Sequence, residues 1–223
     1  MDVFYLHGFA SSAQSSKAAF FAAKLRGHGV TLRAPDFNEP DFTTMTITRM
    51  IEQVGRALDE ASGRPVVLIG SSLGGFVALQ AALRWPRRID RLVLLAPAVD
   101  LHPERLGELG DRGVEDWRAT GRMVVFHYGY GRVMELGYGL YEDARGYDSM
   151  NAALELPIQI FQGRRDTSVS PQVVEQWASA RPNVELHLLD DDHQLLGSLE
   201  YIWSEMIRFL GLRLSQTGGK EGT

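Results

Sequence analysis

The chain has 223 residues, 44% of them hydrophobic, and carries a formal net charge of -5. This length and composition are typical of one globular domain with a sizeable core, and the weak acidity, without a long run of Lys or Arg, disfavours a nucleic-acid partner. The chain contains no cysteine, which excludes disulfides, thiolate metal sites and a cysteine nucleophile.

The N-terminal segment predicts a core strand rather than an export signal. Residues 3–6 are apolar, no basic region precedes them and no small-residue cleavage site follows, so a secretory signal is not expected. No apolar run in the sequence reaches the roughly 18 residues that a membrane helix needs. We therefore expect a cytoplasmic protein without a membrane partner.

Short apolar segments alternate with longer segments of helical periodicity. Strands are predicted near residues 2–7, 30–35, 65–70, 90–96, 157–162 and 184–189. Helices are predicted near residues 15–27, 43–61, 73–84, 171–180 and 195–210. This alternation predicts an α/β fold in which helices cover both faces of a mainly parallel, six-stranded sheet. If the second strand joins one side of the first and the third strand joins the other, the strand order is 2-1-3-4-5-6.

Residues 1–214 are expected to form this single domain, and the polar, glycine-rich residues 215–223 a flexible tail. Residues 101–150 interrupt the alternation after the fourth strand. Insertions of this length are usually functional or disordered, and the many aromatic residues here argue against disorder. We predict a cap over the functional site that contains a β-hairpin formed by residues 123–128 and 132–136. The alternative is an excursion that only packs on the edge of the sheet.

A Gly-x-Ser-x-Gly pattern joins the third predicted strand to the helix after it. Gly70 and Gly74 flank Ser72, the apolar run 66–69 precedes the pattern, and a helical segment follows it. This context is typical of a nucleophile elbow, a sharp strand-to-helix reversal that exposes a serine hydroxyl. Ser72 is therefore the candidate nucleophile, and the alternative is a glycine-rich connection without chemistry.

A serine nucleophile needs a base and an acid that orients the base. Asp166 comes shortly after the predicted strand 157–162 and His193 follows the last strand, so both lie where the ligands of α/β folds bind. Their order in the chain after Ser72 is that of elbow enzymes. Asp166 could instead cap the next helix, and Asp100, after the fourth strand, is the rival acid.

The negative charge that develops on a substrate carbonyl oxygen needs two hydrogen-bond donors. One candidate is the backbone amide of Leu73, at the start of a helix, and the other is the amide of Phe9, in the loop after the first strand. The predicted strand order brings both loops to one crevice, between strands one and three. His7 is expected to orient the first loop rather than act as a base.

These motifs resemble those of the α/β-hydrolase superfamily. Its oxyanion loop, nucleophile elbow, acid and base are matched in order by residues 5–9, 70–74, 163–166 and 192–193. The opening Tyr-Leu-His-Gly-Phe-Ala-Ser-Ser, followed by Ser16-Lys17-Ala18, is similar to small bacterial serine esterases of the YqiA-like group.

The motifs and the resemblance together imply a serine hydrolase that cleaves carboxylic esters of short-to-medium acyl chains and needs no cofactor. Thioesterases and peptidases use the same triad and stay open as alternatives, and a non-catalytic binding protein that keeps the fold is an alternative of another class. No His and carboxylate cluster in the sequence has metal-ligand spacing, so no metal is predicted. Four aromatic residues of the insertion are the candidate lining of an acyl pocket: Trp117, Tyr128, Tyr130 and Tyr138. The alternative for each of them is a role in packing the core or the hairpin.

Overall fold

The computed structural model describes residues 1–61, 63–101 and 113–212. The predicted tail, residues 215–223, and part of the predicted cap, residues 102–112, lie outside the described residues. None of the helices within the described ranges is long and apolar enough to cross a membrane.

The strands of the described residues form a six-stranded parallel sheet and a separate two-stranded hairpin. The strands are β1 (Val3–Leu6), β2 (Leu32–Arg33), β3 (Val66–Ser71), β4 (Ile89–Leu95), β5 (Arg122–His127), β6 (Arg132–Gly137), β7 (Ile158–Gly163) and β8 (Val184–Leu189). Six of them form the parallel sheet in the order β2-β1-β3-β4-β7-β8. This confirms the predicted order, because β7 and β8 are the fifth and sixth predicted strands. β5 and β6 pair with each other as the predicted antiparallel hairpin.

Helices cover both faces of the sheet. They are α1 (Ser16–Arg26), α2 (Ile47–Asp59), α3 (Leu73–Arg84), α4 (Gly113–Thr120), α5 (Gly139–Ala144), α6 (Pro171–Ser179) and α7 (Leu199–Phe209). Buried residues of α1 and α7 form one hydrophobic core, and those of α2, α3 and α6 form the other. Strand residues alternate between the two cores, so that Val3 and Tyr5 of β1 join the first and Phe4 and Leu6 the second. Because both faces are covered, the central strands are apolar along their length.

Two predicted helices are shorter than their periodicity indicates. The segment near 43–61 divides into a 3₁₀ turn (Phe42–Thr44) and α2. The division falls at Thr46, which has extended backbone and whose hydroxyl accepts a hydrogen bond from Arg49 N at 3.1 Å. This N-cap starts a new helix. The segment near 195–210 likewise begins with a 3₁₀ turn (Leu196–Ser198) before α7.

The described part of the insertion packs into the core on the α2 side of the sheet. Alternate residues of β5 are buried, and Met123 and Val125 belong to that core. In β6, Gly137 runs so close to the 3₁₀ turn that a Cβ atom on it would lie 2.6 Å from the carbonyl oxygen of Thr43. The hairpin is therefore continuous with the main domain rather than a separate layer.

Trp117 of α4 is a core residue, which corrects its predicted role in an acyl pocket. Only 1% of its surface is exposed, and its indole N–H donates a hydrogen bond to the carbonyl oxygen of Leu136 at 3.0 Å. Its ring meets those of Tyr138 and Tyr141 edge-on. A buried indole whose polar group is satisfied in this way holds the hairpin against α4 and α5.

We predict that Trp117→Phe lowers the free energy of unfolding by about 1–3 kcal/mol, because it leaves the Leu136 carbonyl unpaired and opens a gap beside the ring. Urea unfolding followed by circular dichroism measures the change. The control Phe126→Leu, at a half-exposed position of the same hairpin, should change stability by no more than about 0.5 kcal/mol. Equal stability of Trp117→Phe and the wild type would contradict the core role.

Candidate active site

Ser72 lies in the turn between β3 and α3. Its backbone has φ 53° and ψ -117°, a strained conformation for a residue with a side chain. Glycines make the reversal sterically feasible: a Cβ atom on Gly70 would lie 2.5 Å from the carbonyl oxygen of Gly74, and one on Gly74 would lie 2.0 Å from that of Leu6. The Ser72 hydroxyl makes no capping hydrogen bond to α3, so it is available to other groups.

The Ser72 hydroxyl belongs to a chain of hydrogen bonds with His193 and Asp166. Ser72 Oγ lies 3.1 Å from His193 Nε2, and His193 Nδ1 lies 2.8 Å from Asp166 Oδ2. A general base and its orienting acid require this order and these distances. Asp100, the rival acid, lines the neighbouring cavity, whereas the Nδ1 position of His193 is taken by Asp166.

Asp166 is held as a carboxylate although its side chain is inaccessible to solvent. Burial alone would raise the pKa of this carboxyl. The hydrogen bonds from His193, from Val169 N at 2.8 Å and from Gln162 Nε2 at 2.9 Å together outweigh burial, so that the pKa of Asp166 lies below its ordinary value. The carboxylate therefore stays ionised at neutral pH and can stabilise an imidazolium on His193.

Close backbone packing holds the loop that carries His193. A Cβ atom on Gly163, the last residue of β7, would lie 2.5 Å from the carbonyl oxygen of Asp192. Asp191, which sequence patterns do not distinguish from its acidic neighbours, is 9% exposed, and its carboxylate accepts a hydrogen bond from Ser198 Oγ at 2.8 Å. These contacts hold the loop that positions His193 close to the end of β7.

The residues of the two predicted oxyanion donors lie beside Ser72. Leu73 is the first residue of α3, where backbone amides have no acceptor within the helix. The loop that carries Phe9 passes along the elbow, since a Cβ atom on Gly8 would lie 3.2 Å from the carbonyl oxygen of Ser71 and 3.3 Å from Ser72 Cβ. Phe9 and Leu73 both line the cavity next to Ser72. Their binding of an oxyanion stays a prediction.

His7 connects the loop after β1 to the loop after β2. It is 1% exposed, and its Nδ1 lies 2.9 Å from the carbonyl oxygen of Gly8. Its Nε2 lies within hydrogen-bond distance of Phe37 N, at 2.9 Å, and of Asp36 Oδ1, at 3.1 Å. The ring is therefore used in holding the loop, which agrees with the orienting role expected for His7.

A cavity of about 500 Å³ lies in front of Ser72. Its apolar lining includes Phe9, Leu73, Ala98, Leu101, Val169 and Leu196. Its polar lining includes Ser11, Ser12, Ser15, Ser16, Lys17 and Asp100. Tyr128 and Gly129, at the tip of the β5–β6 hairpin, also line it. The insertion thus supplies part of the cavity wall.

Tyr128 is the one aromatic residue of the predicted acyl pocket that lines this cavity within the described part of the chain. Tyr130 stacks on His127, with ring centroids 4.2 Å apart. Tyr138 stacks on Tyr141, with ring centroids 5.1 Å apart. Trp117 is the core residue of α4 described above. The structure thus places these three rings in packing contacts rather than in the described wall of the cavity: Trp117 lies in the core, Tyr130 packs on His127, and Tyr138 packs on Tyr141.

Lys17 is part of the N-terminal motif, but motif reasoning assigns it no place in the site. Its Nζ donates a hydrogen bond to the carbonyl oxygen of Gln194, the residue after His193, at 3.0 Å. Lys17 is 8% exposed and lies on the buried side of α1 with Phe21 and Leu25. A lysine at an apolar position of an amphipathic helix is the sequence signal that could have identified it.

Burial lowers the pKa of Lys17 to about 8, although the nearby carboxylates of Asp192, Asp166 and Asp191 act in the opposite direction. Of these groups, Lys17, Asp166 and Asp191 are buried and Asp192 is exposed. The ammonium offsets part of the negative potential that the carboxylates create.

Potential metal ligands come together at a different place. One ligand atom from each of Glu185, His187 and Glu205 lies within 4.8 Å of the others, on β8 and α7. His187 Nε2 already lies 2.7 Å from Glu185 Oε1, and Glu205 pairs with Arg208 at 2.8 Å. This group lies at the edge strand of the sheet, three strands from β3, and takes no part in the Ser72 site.

The sequence matches the Uncharacterised protein family UPF0227 over residues 2–211. The chain belongs to this family. This confirms the resemblance to the YqiA-like group that the N-terminal motif indicated.

Solved structures confirm the α/β-hydrolase fold. Est1E from Butyrivibrio proteoclasticus, solved with ferulic acid bound, has a TM-score of 0.79 at 19% identity, covering 94% of this chain and 89% of that chain. Mouse alpha/beta hydrolase domain-containing protein 10 has a TM-score of 0.78 at 20% identity, with the same coverage of 94% and 89%. At these identities the likeness concerns the fold.

Curated relatives match over different lengths. Mitochondrial palmitoyl-protein thioesterase ABHD10 from Bos taurus is 23% identical over 212 residues, which is 86% of this chain and 67% of that protein. Homoserine O-acetyltransferase from Thermus thermophilus is 43% identical over 56 residues, and lipase LipV from Mycobacterium tuberculosis is 36% identical over 90 residues. These two matches span 25% and 40% of this chain but only 15% and 31% of the relatives' own lengths.

Asp→Asn substitutions, which replace one carboxylate oxygen by an NH2 group, distinguish the two candidate acids. Asp166→Asn should lower kcat for an acyl ester by about 10⁴-fold, because the amide no longer holds His193 in the tautomer that accepts the Ser72 proton. Asp100→Asn is the matched control and should lower kcat less than about tenfold. Steady-state hydrolysis of a chromogenic ester measures both, and a larger loss in Asp100→Asn would contradict the geometry.

Lys17→Met should change how stability depends on pH. Because the pKa of Lys17 in the folded protein, about 8, lies below the ordinary 10.5, the unfolded chain binds more protons between these two pH values. The contribution of Lys17 to the free energy of unfolding therefore rises with pH across this window, by at most about 3 kcal/mol. In urea unfolding from pH 7.5 to 10.5, the free energy of unfolding of the wild type should rise relative to that of Lys17→Met.

Lys24→Met, which removes an ammonium from the more exposed side of α1, is the control for the loss of one charge. Its free energy of unfolding at pH 7.5 should stay within about 1 kcal/mol of the wild-type value, because it loses only a partly exposed ion pair with Glu200. A constant difference between the wild type and Lys17→Met would show that the buried ammonium has no such effect.

Proposed function

We propose that this protein is a serine hydrolase that cleaves carboxylic esters of short-to-medium acyl chains. The hydrogen-bonded series Ser72, His193 and Asp166 beside the cavity is the observation that carries the proposal. A serine in a strained elbow with a base at 3.1 Å has no evident structural purpose, whereas acyl transfer needs both.

Acylation begins when Ser72 Oγ attacks the ester carbonyl carbon while His193 Nε2 accepts the hydroxyl proton. The carbonyl electron pair moves onto oxygen, and the amides of Phe9 and Leu73 are proposed to bind this oxyanion. Collapse of the tetrahedral intermediate breaks the bond to the alkoxide, which takes the proton from His193 and leaves as the alcohol. Asp166 stabilises the imidazolium between these two transfers.

Deacylation repeats the same steps with water. His193 Nε2 accepts a proton from the water as its oxygen attacks the acyl carbon, and a second oxyanion forms in the same hole. Its collapse breaks the bond to Ser72 Oγ, which regains the proton from His193, and the carboxylic acid is released. The net reaction is ester plus water to acid plus alcohol.

The cavity and the relatives support a small acyl substrate. A volume of about 500 Å³ lies in the range of small-molecule sites. Its lining includes apolar side chains that could contact an acyl chain and polar side chains that could contact an alcohol. Esterase, lipase and thioesterase relatives support hydrolase activity. The cytoplasmic location and the lack of cofactor, nucleic-acid and membrane partners stay predictions.

Thioester hydrolysis is the second candidate. It is favoured by the match to palmitoyl-protein thioesterase ABHD10 over 86% of this chain. The triad acts on both bond types, because the same serine attacks the same carbonyl carbon and only the leaving atom differs.

A fluorophosphonate probe should label the wild type at Ser72 within minutes, because the phosphorus centre mimics the attacked carbonyl. Ser72→Ala should abolish labelling and lower kcat for esters by about 10⁶-fold. Ser204→Ala, a serine of α7 away from the cavity, is the control and should label like the wild type. Unchanged labelling in Ser72→Ala would overturn the proposal.

Matched substrates decide between the two bond types. An oxygen ester and a thioester with the same acyl chain, compared over chains of two to sixteen carbons, should give higher kcat/KM for the ester, with the best values at short-to-medium chains. A clear preference for thioesters at every chain length would favour the second candidate instead.

A further inference from the structure

The tip of the β5–β6 hairpin packs directly on the loop that carries Phe9. Gly129 N donates a hydrogen bond to the carbonyl oxygen of Ala10 at 3.0 Å. A Cβ atom on Gly129 would lie 2.9 Å from the carbonyl carbon of Ser11, so this approach requires glycine. The insertion therefore contacts the backbone on which one oxyanion donor is predicted.

Two buried polar side chains join the same elements. His127, at the end of β5, is 0% exposed, and Asn38, in the loop after β2, is 4% exposed. His127 Nδ1 accepts a hydrogen bond from Tyr130 N at 3.1 Å, so the ring proton is on Nε2, which donates to Asn38 Oδ1 at 3.0 Å. Asn38 Nδ2 donates to the carbonyl oxygen of Ser11 at 2.9 Å. A single arrangement of protons satisfies all three hydrogen bonds.

The segment that carries Asn38 is itself held on α2. Arg49 Nη2 donates to the carbonyl oxygen of Phe37 at 3.1 Å, and Gln53 Nε2 donates to that of Asp36 at 3.0 Å. Because the segment is anchored on a helix, the Asn38 amide is a fixed point from which the neighbouring loop and the hairpin are both oriented.

The loop after β1 depends on such support because its backbone is strained. Ala10 has φ 50°, in the left-handed region that is unfavourable for residues with a side chain. Ala10 directly follows Phe9, so a relaxation of Ala10 would turn the Phe9–Ala10 peptide group and shift Phe9, whose own N–H lies one peptide group earlier. The contacts of Gly129 and Asn38 with Ala10 and Ser11 oppose that relaxation.

We propose that His127 and Asn38 are positioning residues for the oxyanion hole that includes the Phe9 amide. The inference rests on the proposed function, since it gives the insertion a part in the same reaction. Neither side chain is among the described residues that line the cavity. They act on the transition state rather than on substrate binding, because an oxyanion donor bonds most strongly once the carbonyl oxygen is charged.

Four variants separate this role from packing. His127→Phe keeps a ring that can stack on Tyr130 and removes both imidazole hydrogen bonds, whereas His127→Gln keeps an N–H that can reach Asn38 Oδ1. Asn38→Leu keeps the side-chain volume without its polar atoms. His28→Phe is the matched control, because its ring packs on Trp203 in the connection between α1 and β2, at the other end of the strands.

His127→Phe and Asn38→Leu should each lower kcat for an activated acyl ester about 10- to 100-fold with little change in KM, since removal of a whole oxyanion donor costs about 10²- to 10³-fold. Each should raise the inhibition constant of an alkylboronic acid, which forms a tetrahedral anion on Ser72, by a similar factor. His127→Gln should recover most of kcat. The double variant should be no slower than the slower single variant, because the imidazole of His127 reaches Ser11 through the side chain of Asn38.

Amide hydrogen exchange gives a readout that does not need turnover. Residues 8–11 should exchange faster in His127→Phe than in His28→Phe. If the wild type hydrolyses esters but His127→Phe keeps the kcat of His28→Phe, the inference is overturned and the proposed function stands. If the wild type hydrolyses no acyl ester, the proposed function falls, and the exchange of residues 8–11 alone decides the inference: equal exchange in the two variants overturns it.

Discussion

Backbone contact between the end of β1 and the start of α3 leaves no space for a side chain at position 74, where a Cβ atom would lie 2.0 Å from the carbonyl oxygen of Leu6. The same contact brings the loop after β1 against Ser72, which itself takes φ 53°. The candidate nucleophile and both candidate oxyanion donors thus depend on one close approach of two backbones. A residue larger than glycine at position 74 would separate them before any side-chain chemistry could matter.

The charges around His193 form a second constraint. Asp166 is ionised although it is buried, because the hydrogen bonds that its carboxylate accepts from His193, Val169 and Gln162 outweigh the effect of burial on its pKa. Lys17 donates a hydrogen bond to the carbonyl oxygen of Gln194, in the loop that carries His193. An isolated carboxylate in this position would be costly, so the buried ammonium and the donors of the β7 loop together make an ionised acid tolerable next to the imidazole.

In the insertion, sequence patterns predict the strands but not the positions of the aromatic side chains. Alternating apolar residues and the glycines around Tyr130 predicted the hairpin correctly, because strand pairing depends on local periodicity and turn residues. The aromatic residues of the same segment did not reveal which rings face the cavity. Tyr128 lines the cavity, whereas Tyr138 and Trp117 pack against each other. An aromatic residue type is compatible with either position, so residue type alone does not distinguish them.

The sequence by itself determined the α/β alternation, the strand order, the elbow and the chain order of Ser72, Asp166 and His193, because each of these follows from local periodicity, glycine positions and connection rules. Only the tertiary structure decided which acid meets His193 Nδ1, that Lys17 supports the same loop, and that His127 meets Asn38. These contacts join residues 27, 177 and 89 positions apart. Distances of this kind depend on how whole elements pack, and no local pattern in the chain encodes them.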